Sequence, residues 1–515
     1  MRTSRAAGVL LCFWMAAAGL CAGTPDTWAP VRWNGGPLEV LRRADDRALA
    51  DPAIRKAVSD WYNPATLSLL EGAPVNCLLL TFSAGADASV EKQQQQLVGE
   101  YARRARERGF AVLGLVYPGT SPQAVAAAAA DARLDGLVLE GEFPDLAGFA
   151  GQLESALRSR KSAALVIPVA SSAVLRKAAW PVLALKGVSP GVGKLADAAT
   201  ASATGGMWID SNLWLVRSFR QTAGSRPVWI TQSSRPAAPA DYVKSVVDAV
   251  AAGGRWVITL DDSFRSKLLR RDAETVAAWR SMGTYLAFFE EHADWRSFVA
   301  YGTVGVILDP TGPNLAHAEE CLNLVARRQI PYRVIERSQV GAPALAGLRA
   351  VLAFDLAAPT ERERKSVLAF AEAGGLVLGG PSWGVPPKDQ SYTVVSAGAG
   401  EVAVYKDAAP DPASVARDLN DLVPTEELGV SVFNAPSVLS YVSISETGSR
   451  LLIQLVNYAG LPAESVTIWV TGKFSTARLH VPASAPVDLA VKRRSTRTEI
   501  VIPKLPHYGA LLLEQ

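Results

Sequence analysis

The sequence predicts three successive folded parts: an N-terminal (β/α)8 barrel, a small doubly wound α/β domain and a C-terminal β-sandwich. Eight short apolar runs alternate with helical stretches between residues 75 and 297, which is the pattern of a barrel of parallel strands. The alternation restarts after residue 299, and after residue 428 apolar residues recur at every second position. A length of 515 residues accommodates about three domains.

The barrel is assigned to residues 24–298. Its eight predicted strands lie in the segments VNCLLLTFS, FAVLGLVYP, LDGLVLEGE, AALVIPVA, PVLALKG, GMWIDSN, RPVWITQ and RWVITLDD. Several of these runs are continuously apolar, as expected for strands that are covered on both faces. The short segment PVRW (30–33) is an alternative first strand. If it is a strand, there are nine candidates and one of the others is false.

Three further segments follow the barrel. Residues 299–408 contain the runs TVGVILDP, PYRVIER and RAVLAFD between helical stretches, which predicts a small doubly wound α/β domain. Residues 409–427 are rich in Pro, Asp and Ala and are assigned as a linker with one helix. Residues 428–515 alternate at period two with turns between the runs, which predicts an antiparallel β-sandwich.

The N-terminus has the pattern of a secretory signal peptide. Arg2 and Arg5 precede the apolar run Gly8–Ala18, and small residues follow up to Gly23. This run is too short and wrongly flanked for a membrane anchor. Residues 1–23 are therefore expected to be removed, and the protein is expected to be secreted or periplasmic. No later run of apolar residues is long enough to predict a membrane span.

The net charge and the cysteines and histidines of the sequence limit which partners, disulfides and metal sites are expected. The formal net charge is +3, and no Lys/Arg run is backed by aromatic residues, which argues against a nucleic-acid partner. After signal removal only Cys77 and Cys321 remain, and they lie in different predicted domains. Two buried free thiols are expected. The histidines are scattered singly, so no metal site and no cofactor are predicted.

The order of the three parts resembles a known family. The stretch LRAVLAFD…TERERKSVLAFAEAGGLVLGGPSWG resembles a glutamine-amidotransferase-like domain, and LLIQLVNYAG, VTIWVTG and YGALLLE resemble a closing sandwich. Together they resemble secreted glycoside hydrolases of the β-galactosidase type. The resemblance implies a carbohydrate substrate, hydrolysis of glycosidic bonds, and a homo-oligomer formed through the middle domain. The only cysteine of that domain, Cys321, is expected in a helix rather than on a strand-to-helix elbow, so the domain is expected to be structural.

Acidic residues follow several predicted barrel strands, where barrel enzymes carry their chemistry. Glu140 and Glu142 end the third predicted strand, Asp210 ends the sixth, and Asp261 and Asp262 end the eighth. Glycoside hydrolysis requires two carboxylates, so either glutamate is a candidate acid and Asp210 a candidate nucleophile or base. Asp262 is a weaker candidate, because one of the two adjacent acids is expected to cap the last barrel helix. Strand-end acids also serve as acceptors that fix loops.

The resembling hydrolases carry an acid on strand four and a nucleophile on strand seven. By the count of eight above, those strands end in Ala170-Ser171 and Gln232-Ser233, which lack carboxylates. If PVRW is the first strand, Glu140 and Asp210 move to the expected places. The alternative hypothesis is a catalytically inactive barrel that binds glycans or a protein partner, since a fold does not fix a function.

Aromatic and amide side chains near predicted strand ends are candidates for sugar binding. Trp33, Trp208 and Trp214 flank the predicted mouth, where their ring faces could stack on a sugar. Asn34 and Asn212 are candidates for binding hydroxyl groups. The alternative reading of the tryptophans is packing within the barrel.

Overall fold

The computed structural model describes residues 23–195, 198–199, 201, 207–222, 224–232 and 238–515. Apart from Gly23, the predicted signal peptide lies outside the described residues. Among the residues described, no helix is long and apolar enough to cross a membrane.

The first part of the chain forms a parallel barrel-like sheet with helices around it. Its strands, in chain order, are Pro30–Arg32, Cys77–Ser83, Ala111–Val116, Gly136–Leu139, Leu165–Ala170, Leu183–Lys186, Val228–Thr231 and a last strand in two pieces, Arg255–Trp256 and Ile258–Thr259. They are numbered one to eight below. The last strand links the two edges of the sheet, because Arg255 pairs with Trp229 of strand seven and Ile258 pairs with Val31 of strand one.

Helices pack around the outside of this sheet, and their apolar side chains form part of the hydrophobic core. The longer ones are Ala88–Arg106, Pro122–Asp131, Leu146–Ser159, Leu213–Thr222, Pro239–Ala251 and Ala273–Glu291, with Gly36–Arg42, Pro52–Ser59, Ser172–Leu175 and Asp262–Leu269 as shorter ones. Strands two and three are buried along their whole length. This burial agrees with the continuously apolar runs from which the strands were predicted.

The predicted strand count was wrong in two places. PVRW contains strand one, which pairs with strand two in the register Pro30↔Cys77. The predicted strand GMWIDSN is not part of the barrel, because Ile209–Asp210 pairs antiparallel with Gly191–Val192 in a separate small sheet. A three-residue strand is too short to produce a recognisable pattern of apolar residues in the sequence. A short apolar run in a loop, by contrast, can resemble a strand.

The second part is a six-stranded sheet with helices. The strands run in the spatial order Tyr332–Glu336, Val304–Leu308, Ala350–Leu352, Leu376–Gly379, Gly400–Tyr405 and Tyr392–Ala397, and only the last pairs antiparallel. The helices are Leu315–Arg327, Ala342–Leu345, Glu361–Glu372 and Pro412–Leu422. The helix Pro412–Leu422 lies in the predicted linker, yet Val415, Ala416 and Leu419 pack in the core of this sheet. The amidotransferase-like assignment stays a prediction.

The last part is an antiparallel β-sandwich. One sheet contains Val438–Ile444, Arg450–Asn457, Tyr508–Glu514, Thr476–His480 and Val487–Asp488, joined at its edge by Val299–Ala300. The other contains Val430–Phe433, Ala463–Thr471, Arg497–Leu505 and Lys492–Arg494. Fully buried Val442, Ile453, Ile468 and Ile500 fill the space between the sheets. The predicted sandwich and the two buried free thiols, Cys77 and Cys321, are confirmed.

Candidate active site at the barrel mouth

Glu140 directly follows strand four, at the carboxyl end of the barrel where barrel enzymes place their chemistry. It borders a cavity of about 610 Å³ together with Arg32 and Tyr117. Arg32 is the last residue of strand one, and Tyr117 directly follows strand three. Parallel strands bring these three side chains to one end of the barrel although they are distant in sequence.

An ion pair fixes the carboxylate of Glu140. Nη2 of Arg32 donates to Oε1 of Glu140 at 2.8 Å, and the two side chains are only 7% and 16% exposed. The same nitrogen also donates to the hydroxyl of Thr231 at 2.9 Å. Arg32 thus ties strands one, four and seven across the mouth. Oε2 of Glu140 is buried and has no hydrogen-bond partner among the described residues.

Tyr117 presents a second polar atom without a partner. Its hydroxyl is buried and makes no hydrogen bond within the described part of the chain. The guanidinium of Arg42 lies 4.2 Å from the centre of the Tyr117 ring. Burial, followed by the negative charges of Glu140 and Glu39, raises the pKa of Tyr117, so the hydroxyl stays protonated and available as a donor. Unsatisfied buried polar atoms beside a cavity are what a ligand with hydroxyl groups would satisfy.

The acids after strand eight are occupied by protein partners. Asp261 caps the helix Asp262–Leu269 by accepting from the amide of Phe264 at 3.0 Å, and it also accepts from the Tyr242 hydroxyl at 2.5 Å. Asp262 accepts from Arg43 at 2.5 Å and from Arg265. Burial alone would raise the pKa of Asp262, but the two arginines outweigh it and hold the pKa below its ordinary value. The prediction of Asp262 as a catalytic residue is therefore corrected, because both carboxylate oxygens are held in ion pairs.

Asp210 lies in an adjoining cavity of about 580 Å³. It sits on the long connection after strand six, and Nε1 of Trp208 donates to its Oδ1 at 3.0 Å. Gln232, which directly follows strand seven, borders the same cavity, and Thr259 borders both cavities. The carboxylate of Asp210, which lies on a loop, and the side-chain amide of Gln232, which follows strand seven, therefore border the same cavity.

Glu142 is exposed and borders neither of these cavities. It lies on the turn before the helix Leu146–Ser159, one residue beyond Gly141, whose φ is +111°. The change of backbone direction at Gly141 separates the two glutamates. Of the pair, only Glu140 belongs to the cavity.

The predicted sugar-binding tryptophans serve mainly in packing. Trp33 is fully buried, packs on Trp61 and donates to the Tyr101 hydroxyl at 2.7 Å, so a sugar cannot reach it. Trp214 packs between the cores of the barrel and of the second sheet. The prediction for these two residues is corrected. Trp208 is partly exposed, with the guanidinium of Arg327 at 3.8 Å from its ring centre.

The two predicted asparagines differ in their surroundings. Asn34 borders the Glu140 cavity, and its amide makes a weak bond of 3.3 Å to Glu39. Asn212 is 2% exposed, and its side chain bonds to both backbone groups of Val188 and to Asp248. Asn212 therefore fixes a loop, and its prediction as a hydroxyl-binding residue is corrected.

Sequence reasoning missed Arg32, Tyr117 and Arg42. Arg32 and Arg42 lie in and just after the first strand, which the sequence predicts only as an alternative, while Tyr117 follows strand three. An arginine inside the apolar segment PVRW was the one available signal, because a buried arginine is usually paired. Among the residues described, no group of three or more His, Cys, Asp or Glu side chains is arranged to hold a metal ion.

Two solved structures share the fold of this chain at low sequence identity. The chain is similar to the α-L-fucosidase isoenzyme 2 from Paenibacillus thiaminolyticus, with a TM-score of 0.58 and 12% identity over 87% of this chain and 95% of that chain. It is also similar to a catalytic mutant of a GH42 β-galactosidase from G. stearothermophilus, with a TM-score of 0.55 and 9% identity over 95% and 98% of the two chains. No family model and no curated protein matches the sequence. Identities this low establish a shared fold.

Proposed function

We propose that this protein hydrolyses glycosidic bonds at the barrel mouth, with Glu140 and Asp210 as its two carboxylates. The observation that carries the proposal is the buried Oε2 of Glu140 at the carboxyl end of strand four, which has no hydrogen-bond partner in the described part of the chain. Arg32 holds the other oxygen in place, so the free oxygen has a defined position. A positioned carboxyl group is the first requirement of glycoside hydrolysis.

The two carboxyl groups have complementary roles in this reaction. Glu140, with its proton on Oε2, the oxygen that Arg32 does not contact, donates that proton to the glycosidic oxygen as the bond from that oxygen to the anomeric carbon breaks. Asp210 either removes a proton from the attacking water, or attacks the anomeric carbon to form a glycosyl ester that water then hydrolyses with Glu140 as the base. The cavities of Glu140 and Asp210 share Thr259 as a bordering residue, and the proposal requires that a sugar ring lie between the two acids.

Uncharged polar groups at the mouth suit a sugar substrate. The hydroxyl of Tyr117 and the amide of Asn34 border the Glu140 cavity, and the amide of Gln232 borders the Asp210 cavity. Sugar hydroxyl groups both donate and accept hydrogen bonds. They can therefore satisfy the Tyr117 hydroxyl, which has no partner among the described residues, and compete for the amides of Asn34 and Gln232, which bond to Glu39 and Ser189.

A barrel that binds glycans without cleaving them is the second candidate function. The residues at the end of strand seven favour this function, because they are Thr231 and Gln232 and neither side chain is a carboxylate. In this case the cavity would bind a glycan through the same polar groups, and Glu140 would serve as an acceptor for sugar hydroxyls.

One pair of assays distinguishes the two functions. The full chain is incubated with a panel of aryl glycosides and plant and bacterial polysaccharides, and the same protein is applied to a glycan array. Released sugar that is lost in Asp210→Asn supports the hydrolase. Array binding without release from the same glycans supports the non-catalytic barrel and rejects the hydrolase. The anomer of the first product, read by NMR, gives the stereochemical outcome.

We further propose that the protein is exported after removal of residues 1–23, and that it associates with itself through the second sheet. The N-terminal pattern supports export, and the resemblance to oligomeric hydrolases supports association. The N-terminal sequence of the mature protein and its mass in solution test these two points separately.

A further inference from the structure

A third cavity lies away from the barrel mouth, where all three parts of the chain meet. Its volume is about 440 Å³. Gly253, just before strand eight, borders it from the barrel, Arg333 from the second sheet, and Tyr441 and Gln454 from the sandwich. Because Gly253 precedes the strand whose other end faces the mouth, this cavity is at the amino end of the barrel. It is distinct from the cavities of Glu140 and Asp210.

The charges around this cavity are of one sign. Arg220, Arg296 and Arg333 border it, and no Asp or Glu does so among the described residues. Arg296 is compensated by an ion pair of 2.7 Å with Glu290. Arg220 and Arg333 form no ion pair within the part of the chain that the structure describes. Their positive charges therefore face the cavity without a counter-charge from the protein.

Buried donors at the cavity also lack acceptors. Oε1 of Gln221 accepts from the amide of Val334 at 2.7 Å, and its buried Nε2 has no partner among the residues that the structure describes. The buried Nε of Arg333 also has none among them, while its Nη2 donates to the carbonyl of Ala346 at 2.7 Å. Burial lowers the pKa of Arg333, since no carboxylate is near enough to offset it. A buried donor without an acceptor is costly.

We infer that this cavity binds a small ligand that carries an oxyanion, either a phosphate or a carboxylate group. Oxyanions accept several hydrogen bonds at once, and guanidinium groups match them in charge and geometry. The ligand's oxygens would accept from Arg220, Arg333 and Nε2 of Gln221. The apolar walls formed by Phe298 and Trp295 leave room for the carbon skeleton of a sugar acid or a sugar phosphate.

Occupancy of the site would strengthen the junction of the three parts. A ligand that binds only the folded junction stabilises it in proportion to the logarithm of its concentration. The inference stands independently of the proposed hydrolysis, because none of the residues involved borders the mouth cavities.

Isothermal titration of the full chain tests the inference. The probes are inorganic phosphate and D-glucuronate, with D-glucose as the uncharged control, all at one ionic strength. The variants are Arg333→Gln and Gln221→Glu. The second nearly preserves the shape and the acceptor for Val334, but it places a negative charge in the cavity. Arg349→Gln is the matched control, because Arg349 is 57% exposed and has only a loose ion pair of 3.9 Å.

The expected result is saturable binding of phosphate or glucuronate but not of glucose. Both cavity variants should weaken that binding about tenfold or more, as expected for loss of a charge-assisted hydrogen bond, and Arg349→Gln should bind as the unaltered chain does. If Arg333→Gln does not fold, the binding measured with Gln221→Glu tests the inference by itself. Absence of saturable binding by both anions, or undiminished binding by Gln221→Glu, overturns the inference.

Discussion

The hydroxyl of Tyr458 donates to Oδ1 of Asp248 at 2.6 Å, joining a sandwich loop to a barrel helix. Asp248 is fully buried and also accepts from the Ser211 hydroxyl at 2.6 Å and from the backbone and side-chain nitrogens of Asn212. This carboxylate therefore fixes the loop that leads from Asp210 into the next helix. Because Tyr458 borders the Asp210 cavity, the sandwich contributes to the barrel mouth.

Tyr458→Phe is expected to destabilise this junction by about 1 to 2 kcal/mol, because it removes a hydrogen bond to a buried carboxylate. The thermal unfolding midpoint reports the change. Tyr285→Phe is the control, because the Tyr285 hydroxyl makes no hydrogen bond to another described residue and its ring is only partly buried. Equal midpoints for the two variants would show that the Asp248 contact adds no stability.

The carboxyl group of Asp355 has a raised pKa, and burial is the main cause. Burial, and to a lesser extent the negative charges of Asp309 and Glu319, raise the pKa of Asp355 to about 7, although the backbone hydrogen bond from Asp309 and the charge of Arg176 act in the opposite direction. The folded chain then holds this proton more tightly than an unfolded chain, whose Asp pKa is about 3.9. The resulting stabilisation is complete below about pH 4 and is lost as the pH rises through about 7.

Asp355→Asn is therefore expected to lose this pH dependence, while its side-chain oxygen still accepts from the Asp309 amide, a bond of 2.6 Å in the unaltered chain. Relative to the variant, the unaltered chain should become less stable between about pH 4 and pH 7, by up to about 1.4 kcal/mol per pH unit. Unfolding midpoints of both chains across this range provide the measurement. Parallel curves would contradict the assigned titration.

The two thiols should be inert in the folded protein. Cys77 and Cys321 are 0% and 1% exposed, and burial raises the pKa of both. A chain that begins at Thr24 should not react with a thiol reagent at pH 8 until denaturant is added, and then two thiols should react. Rapid reaction of either thiol without denaturant would show that its surroundings open in solution.

The sequence predicted the architecture better than the site. Long apolar runs such as Cys77–Ser83 and the period-two runs of the sandwich carry strong local signals, so those elements were placed correctly. The three-residue strand Pro30–Arg32 carries almost none. Its short length shifted the strand count by one and displaced Glu140 from strand four to strand three.

Side-chain contacts between distant residues could not be derived from sequence patterns. No local pattern distinguishes Asp262, whose charge is neutralised by Arg43 more than 200 positions away, from Glu140, which has one oxygen without a partner among the described residues. The sequence predicted Trp33 and Asn212 near the mouth, but both are buried among neighbours such as Trp61 and Asp248. Whether each of these side chains is free or occupied depends on tertiary packing, which local sequence patterns do not reveal.

The most direct test of the proposed function compares Glu140→Gln with Glu142→Gln. The two residues have the same chemistry and lie two positions apart, but only Glu140 borders the cavity. On a glycoside that the unaltered protein cleaves, Glu140→Gln should lower kcat about 100-fold to 10,000-fold, as expected for loss of a general acid, while the glycan still binds. Glu142→Gln should leave kcat unchanged. Equal activity in the two variants would contradict the assignment of Glu140 and with it the central claim.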